Sequence, residues 1–392
     1  MSARVLLVMP TSTYRASAFL RASEQLGLDV TVATDDPAGP PVGAPAIAWG
    51  RVVEGLGPLP PALRDVAAVV GVDETSVLPA ARIAARLGLP GNPLDAAMVT
   101  RDKSRLRRAL EGTGLPQPRW SAWPPECPAP DLGYPCVVKP TSGAASFGVI
   151  RANNRAELLL AGARVRRLLG DRATLLVESY LPGPEIAVEA LMQDGELLPL
   201  AIFDKPDPLD GPYFAESIYQ LPSGLPSADQ EAVAEVLAAA ASAIHLGQGP
   251  VHAEFRLGSG TPTLIDLASR SIGGRCSAVL RFRSGASLEE LILRQALGMP
   301  LPDLQLEADP AGVLMLTAGR SGRLVSIEGR EAVLRIPGIE AVDLTATPGS
   351  IVAPAPDGDR YLGFVFARAG SPDGVRAALG AARDRLVITV ED

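Results

Sequence analysis

Apolar runs and helically spaced apolar positions alternate through the N-terminal quarter of the chain. Residues 4–9 are a nearly unbroken apolar run stopped by Pro10, the pattern of a buried strand, and 17–26 carries apolar residues at helical spacing. Residues 29–33 and 66–72 predict two further strands, the second ending at Asp73-Glu74, and 77–87 predicts a helix. Strands alternating with helices predict a small parallel sheet with helices on its faces, occupying residues 1–97. The loop 10–15 then falls at the C-terminal end of the first strand, where open α/β sheets bind ligands. Gly39, Gly43, Gly55 and Gly57 lack the spacing of a dinucleotide fingerprint. No Gly-x-x-x-x-Gly-Lys-Ser/Thr loop occurs either, which excludes a P-loop NTPase.

Beyond Asn92-Pro93 the pattern changes. Thr100 reads as the N-cap of a helix running to Glu111, with Lys103 in its first turn. A cation there opposes the helix dipole and calls for an anion close by. The segment 116–130 is rich in proline and reads as a connector. Tyr134-Pro-Cys-Val-Val-Lys139 and Val149-Ile150 then predict two strands joined by the small-residue loop that holds Ser142, Gly143, Ser146 and Gly148. Backbone N–H groups of such a loop can close over an anion. Residues 156–169 predict a basic amphipathic helix with a solvated face. A strand follows at 175–178, then Ser179-Tyr-Leu-Pro-Gly-Pro-Glu185 and another strand at 186–192. Residues 203–226, containing Lys205, Phe214 and Glu216, read as a long functional loop. Ser227-Ala-Asp-Gln230 and Ser287-Leu-Glu-Glu290 read as capping boxes opening two helices.

The segment 251–257 alternates strictly, with His252, Glu254 and Arg256 on one face and Val251, Ala253, Phe255 and Leu257 on the other. A turn at Gly258-Ser-Gly260-Thr-Pro262 leads into a strand at 263–270. A hairpin centred on Gly260 sets Glu254 directly opposite Asp266, with Arg270 further along the same face. Facing side chains lie about 4.5–5.5 Å apart at Cβ, and like charges there repel. Two carboxylates so placed call for a cation, for which an ion cluster with Arg256 and Arg270 or a bound Mg²⁺ are the alternatives.

Composition narrows the class. The 392 residues are 47% hydrophobic and 20% charged with a net charge of −8, so a folded chain of several lobes is expected, and a general nucleic-acid binder is not. Three cysteines and two histidines, widely spaced, support neither a disulfide framework nor a zinc site. No apolar run approaches the ~20 residues of a membrane span, and a cytoplasmic protein is expected. Lysine is rare: Lys103, Lys139 and Lys205 stand among 36 basic residues. That makes a lysine, the compact point charge, conspicuous beside the loop most suited to a phosphate.

Taken in order, Lys103, Lys139 with its loop, Glu178-Ser-Tyr-Leu before Glu185, and Glu254 with Asp266 and Arg270 resemble the ATP-grasp superfamily of carboxylate–amine ligases. Phe203-Asp-Lys-Pro206, Gly211 to Glu216 and Arg270-Ser-Ile-Gly-Gly274 resemble the L-amino acid ligase branch. The resemblance implies an α/β and α+β fold: a Rossmann-like pre-ATP-grasp domain at 1–97, lobes at 98–181 and 182–310, and a C-terminal α+β lobe at 311–392. It implies ATP and Mg²⁺, with Mn²⁺ as a substitute. Lys103, Lys139 and the loop would contact phosphates, Glu178 to Leu181 the adenine, and Glu185 the ribose. Glu254 and Asp266 would hold the metal, and Arg270 with Lys139 would serve the phosphoryl transfer. Gly273 and Gly274 could offer N–H groups to a substrate carboxylate, Arg275 a guanidinium, and Glu216 an acceptor for an ammonium. The partners implied are a small carboxylate and an amine; a homodimer stays open.

Two positions depart from the family. Asp266 stands where Glu is usual, and Ala268 where Asn is usual. A site that holds its second Mg²⁺ loosely is one consequence. A nucleotide-binding scaffold without turnover, or a carboxyphosphate-forming enzyme, are the other classes left open. His252 reads as a packed neighbour of Glu254, and Cys276 lacks a histidine in sequence reach for thiolate catalysis.

Overall fold

The computed structural model describes residues 2–36, 44–55, 58–258 and 260–392. Gly39, Gly43 and Gly57, weighed above against a dinucleotide fingerprint, and Ser259 of the hairpin turn lie outside them. The N-terminal strands Arg4–Val8, Asp29–Thr34, Ala46–Ala48 and Val66–Gly71 form one parallel sheet with Arg4–Val8 and Asp29–Thr34 inside. Val5 to Met9 are fully buried, as an unbroken apolar run requires when both faces of a sheet are covered. The helix Val77–Leu87 begins and ends where the spacing predicts.

A second, antiparallel sheet joins Trp120–Trp123, Leu175–Ser179, Cys136–Pro140 and Ile150–Ala152, with the helix Arg155–Leu169 packed on it. The predicted connector 116–130 therefore contains an edge strand: Trp123 is buried in the small-lobe core, and its prolines flank the strand instead of interrupting it.

The largest sheet has eight strands, from Thr263–Ala268 and Gly249–Arg256 through Glu185–Gln193, Glu196–Lys205 and Ile218–Leu221 to Ala311–Leu316, Gly363–Arg368 and Ile339–Leu344. The predicted loop 203–226 thus begins inside one strand and contains another. Ile218–Leu221 is the seam: it pairs antiparallel with Ala311–Leu316, so the C-terminal segment continues the central sheet. The helices Ser227–Ala243 and Pro372–Arg385 cover separate cores on this sheet.

Three local expectations change. The helix predicted from Thr100 is two helices, Leu94–Arg101 and Lys103–Ala109, with Asp102 extended between them. Asp102 takes the cap, accepting from Ser104 N and Arg105 N, while Thr100 Oγ1 bonds Ala97 O and Ser269 Oγ inside the last turn of the first helix. The break brings Lys103 N–H to Thr141 O at 2.6 Å, tying it to the small-residue loop. Ser227 is itself the first helical residue, preceded by Pro226, so no capping box forms there; the Ser287 cap does form, accepting from Glu290 N. The strand predicted at 263–270 ends at Ala268.

The N-terminal sheet is fastened to the large sheet by polar contacts at the ends of its strands. The Arg15 guanidinium bonds Val72 O, Ser271 O and Ile272 O, and Glu74 pairs with both Arg270 (2.8 Å) and Arg101. Burial pushes the Glu74 carboxyl up, but Arg270 and Arg101 outweigh it and hold it below its ordinary value of 4.5. Stability from this ionised group is full above pH 4.5 and is lost as pH falls through the lowered value. Glu74→Gln should therefore cost about 2 kcal/mol near pH 7, a gap that closes below pH 4.5, as urea unfolding at the two pH values will show.

Candidate active site

A cleft of about 1070 Å³ opens between the small antiparallel sheet, the hairpin side of the large sheet and the strand-end loops of the N-terminal sheet. Of the residues expected above to contact ATP, metal or substrate, all but Gly148 and Arg275 line it.

One wall is the loop after Lys139. Its backbone turns left-handed at Ala145 (φ 54°) and Ser146 (φ 55°), conformations that cost about 1–3 kcal/mol each in non-glycine residues. Gly148 (φ 69°) is required there, because a Cβ would stand 2.8 Å from Pro140 Cγ. Gly148 sits behind the wall, where its N–H donates to Pro356 O at 2.8 Å. Arg164 on the helix below makes a two-pronged pair with Asp357 at 2.8 and 2.7 Å, so the C-terminal segment clasps the loop.

Lys139 Nζ lies 2.7 Å from Glu178 Oε2, and Arg107 Nε lies 2.6 Å from Glu178 Oε1. Both oxygens of the carboxylate expected at the adenine are thus engaged by cations. Burial, with the nearby Arg107 and Lys103 charges, pulls the Lys139 ammonium below its ordinary value despite Glu178. Ser179 and Tyr180 donate their N–H groups to Arg119 O and Pro135 O, and both residues line the cleft with Leu181.

Opposite stands the hairpin. Glu254 faces Asp266 in the ladder as predicted, but through a register shift: Phe255 pairs with Leu264, and Ile265 is the extra residue. The bulge frees Ile265 O to accept from Arg107 Nη2 at 2.7 Å and Lys139 Nζ at 3.4 Å. Asp266 pairs with Lys103 at 2.9 Å. Burial opposes charge on both, yet each outweighs it for the other, so the Lys103 ammonium is raised and the Asp266 carboxyl lowered. Glu254 pairs with Lys205 at 2.7 Å and lies 3.8 Å from His252 Nε2. Two ladder-paired carboxylates with oxygen donors only, each now neutralised by a lysine, fit a hard divalent cation. Ala268, beside His252 in the ladder, adds no ligand atom.

At the far end, Glu216 accepts from Tyr219 Oη at 2.7 Å and Tyr361 Oη at 2.6 Å. Gly274 (φ 58°) donates its N–H to Tyr14 Oη at 3.0 Å, and a Cβ on it would meet Met315 Cε at 2.3 Å. Arg275 turns away from the cleft and pairs with Asp343 of the C-terminal segment. Cys276 is buried, which pushes its thiol well above the ordinary range and disfavours the thiolate. Sequence reasoning passed over Arg107, Glu74 and the cage around Lys205. Arg107 had a signal, since it follows Lys103 by one helical turn.

The ATP-grasp domain family matches residues 132–279, and L-amino acid ligase C-terminal domain 2 matches residues 314–391. The chain therefore contains an ATP-grasp domain. This ATP-grasp chain superposes on the L-amino acid ligase of Bacillus licheniformis with a TM-score of 0.83 and 25% identity, covering 100% of this chain and 99% of that one. It is 26% identical to the alanine–anticapsin ligase of Bacillus subtilis over 62% of this chain and 57% of that protein. With the D-alanine–D-alanine ligase of Stutzerimonas stutzeri it shares 32% identity over 40% of this chain and 52% of that protein. The chain therefore spans about half the length of these two curated relatives. Among the described residues no helix is long and apolar enough to cross a membrane.

Removing Glu178 from the buried Arg107–Glu178–Lys139 cluster leaves two uncompensated cations side by side. Glu178→Leu should cost about 3–5 kcal/mol in urea unfolding, partly recovered in Arg107→Met/Glu178→Leu, where one cation remains in place of two.

Proposed function

We propose that this ATP-grasp protein is an ATP-dependent carboxylate–amine ligase acting on amino acids. The observation that carries the reading is one cleft with lysines and a left-handed loop on one wall and ladder-paired carboxylates on the other. The relatives named as amino acid ligases, and the C-terminal domain shared with that branch, support the substrate class.

In this reading Lys139, Lys103 and the loop 142–148 bind the phosphates, and the carbonyls and N–H around Leu181 meet the adenine. Glu185 would reach the ribose by loosening its contacts with Lys205 and Arg256 (3.0 Å). A substrate carboxylate oxygen attacks the γ-phosphorus, the bond to the β-phosphate oxygen breaks, and an acyl phosphate and ADP form. The amine then attacks the acyl carbon, the carbon–oxygen bond to phosphate breaks, and the nitrogen loses a proton to leave the amide. Catalysis of this kind is positioning and charge neutralisation. A Mg²⁺ held by Glu254 and Asp266 would offset phosphate charge. Arg270, now on Glu74, lies where it can move to the transferring phosphoryl group. Gly273 and Gly274 face the cleft beside Glu216, an arrangement suited to a carboxylate and an ammonium of one amino acid.

Phosphate release from ATP and Mg²⁺ should depend on pooled amino acids, with mass spectrometry showing dipeptides. Release with bicarbonate alone would favour the carboxyphosphate class, and nucleotide binding without release the scaffold. Glu254→Gln should reduce turnover by about 10²-fold or more while ADP binding, followed by calorimetry, stays within about tenfold.

A further inference from the structure

Lys205 closes the strand Glu196–Lys205, and its side chain is only 2% exposed. Its ammonium lies 2.6 Å from Glu185 Oε1, 2.7 Å from Glu254 Oε1 and 3.1 Å from Glu216 Oε1, with the Tyr219 ring 4.8 Å away. An ammonium has three protons to donate, and here three carboxylates are placed to accept them. One oxygen from each of Glu185, Glu216 and Glu254 lies within 4.8 Å of the others, a spacing that would hold a metal ion. The outer oxygens are also tied down: Glu185 Oε2 by Arg256 at 3.0 Å and Glu216 Oε2 by Tyr361 Oη at 2.6 Å. The ammonium fills the centre of this cage.

The hairpin gives an independent observation. After Glu254 and Asp266, the next position on the same strand face is Ala268, whose methyl group cannot ligate. The hairpin thus brings two carboxylates, and those nearest Glu254 are bound to a side-chain cation.

We propose that the Lys205 ammonium is a resident cation, standing among Glu185, Glu216 and Glu254 where a second divalent ion would otherwise sit, so that the cleft takes one exchangeable metal ion on its Glu254–Asp266 side. This deepens the ligase reading and rests on it for the role of the remaining ion. The resident charge cannot be diluted or exchanged. It also links the carboxylate that faces the metal, Glu254, to the one that faces the substrate, Glu216. Lys205 is a positioning residue in this scheme, since it acts through the carboxylates it holds.

Bound Mn²⁺, counted by electron paramagnetic resonance, tests the proposal. The wild-type chain should hold one Mn²⁺ per bound ADP. Without nucleotide, Lys205→Gln should gain a Mn²⁺ site at least ~10-fold tighter than any in the wild type, and Mn²⁺ should raise its melting temperature by several degrees. Lys205→Arg keeps the charge and should gain none. Adding Glu254→Gln to Lys205→Gln should remove the gained ion. Two Mn²⁺ per ADP in the wild type, or a folded Lys205→Gln chain that gains none, overturns the proposal. If Lys205→Gln does not fold, the wild-type count decides alone, one Mn²⁺ per ADP supporting the proposal and two overturning it. The nucleotide-free titration does not depend on turnover. Failure of the ligase reading would instead appear as no amino-acid-dependent phosphate release, whatever the Mn²⁺ count.

Discussion

Like charges set side by side in a poorly solvated cleft are the constraint to which the rest of this structure answers. Glu254 and Asp266 face one another across a ladder where their repulsion would be strong in a low-dielectric site. The fold meets the problem with three lysines and a few arginines brought from distant segments: Lys103 on Asp266, Lys205 on Glu254, and Lys139 with Arg107 on Glu178. In a chain that otherwise uses arginine, every lysine sits in this cleft or at its edge. Arginine would bring a broad fork to each carboxylate, whereas an ammonium can be surrounded. Under the ligase proposal, a phosphate arriving beside Lys103 or Lys139 would replace one anion with another.

The hairpin shows how local irregularity serves this balance. Thr263–Ala268 is an edge strand, and the bulge residue Ile265 keeps its carbonyl outside the ladder. The bulge turns it toward Arg107 and Lys139, adding a neutral acceptor where the cations crowd. It also aligns the halves of the hairpin differently on either side of residue 265, so Glu254 and Asp266 face each other even though the turn-proximal pairs are shifted.

Much of the fold was legible because it is periodic. The buried run at 4–9, the helix at 77–87 and the alternation at 251–257 each state their element and face in a few residues. The pairing of Glu254 with Asp266 was legible too, since they lie twelve residues apart around a glycine-rich turn. What was hidden is set by contacts far apart in sequence. Lys205 meets partners 11, 20 and 49 positions away, and Glu74 meets Arg270 across 196. The strand Ile218–Leu221 was hidden by the proline and glycine around it, and its partner strand begins at Ala311. Asp102 was overlooked as a cap because Thr100, a weaker one, comes first.

The seam at Ile218–Leu221 carries one more consequence. Because it pairs with Ala311–Leu316 on one side and with the Lys205 strand through Asp204 and Gln220 on the other, the wall that carries Tyr361 and the wall that carries Lys205 belong to one sheet. A hinge motion between them would have to break the pairing on one side of Ile218–Leu221. Under the ligase proposal, the pocket around Glu216 would then be shaped by folding and would select substrates as a preformed template instead of by closing around each candidate.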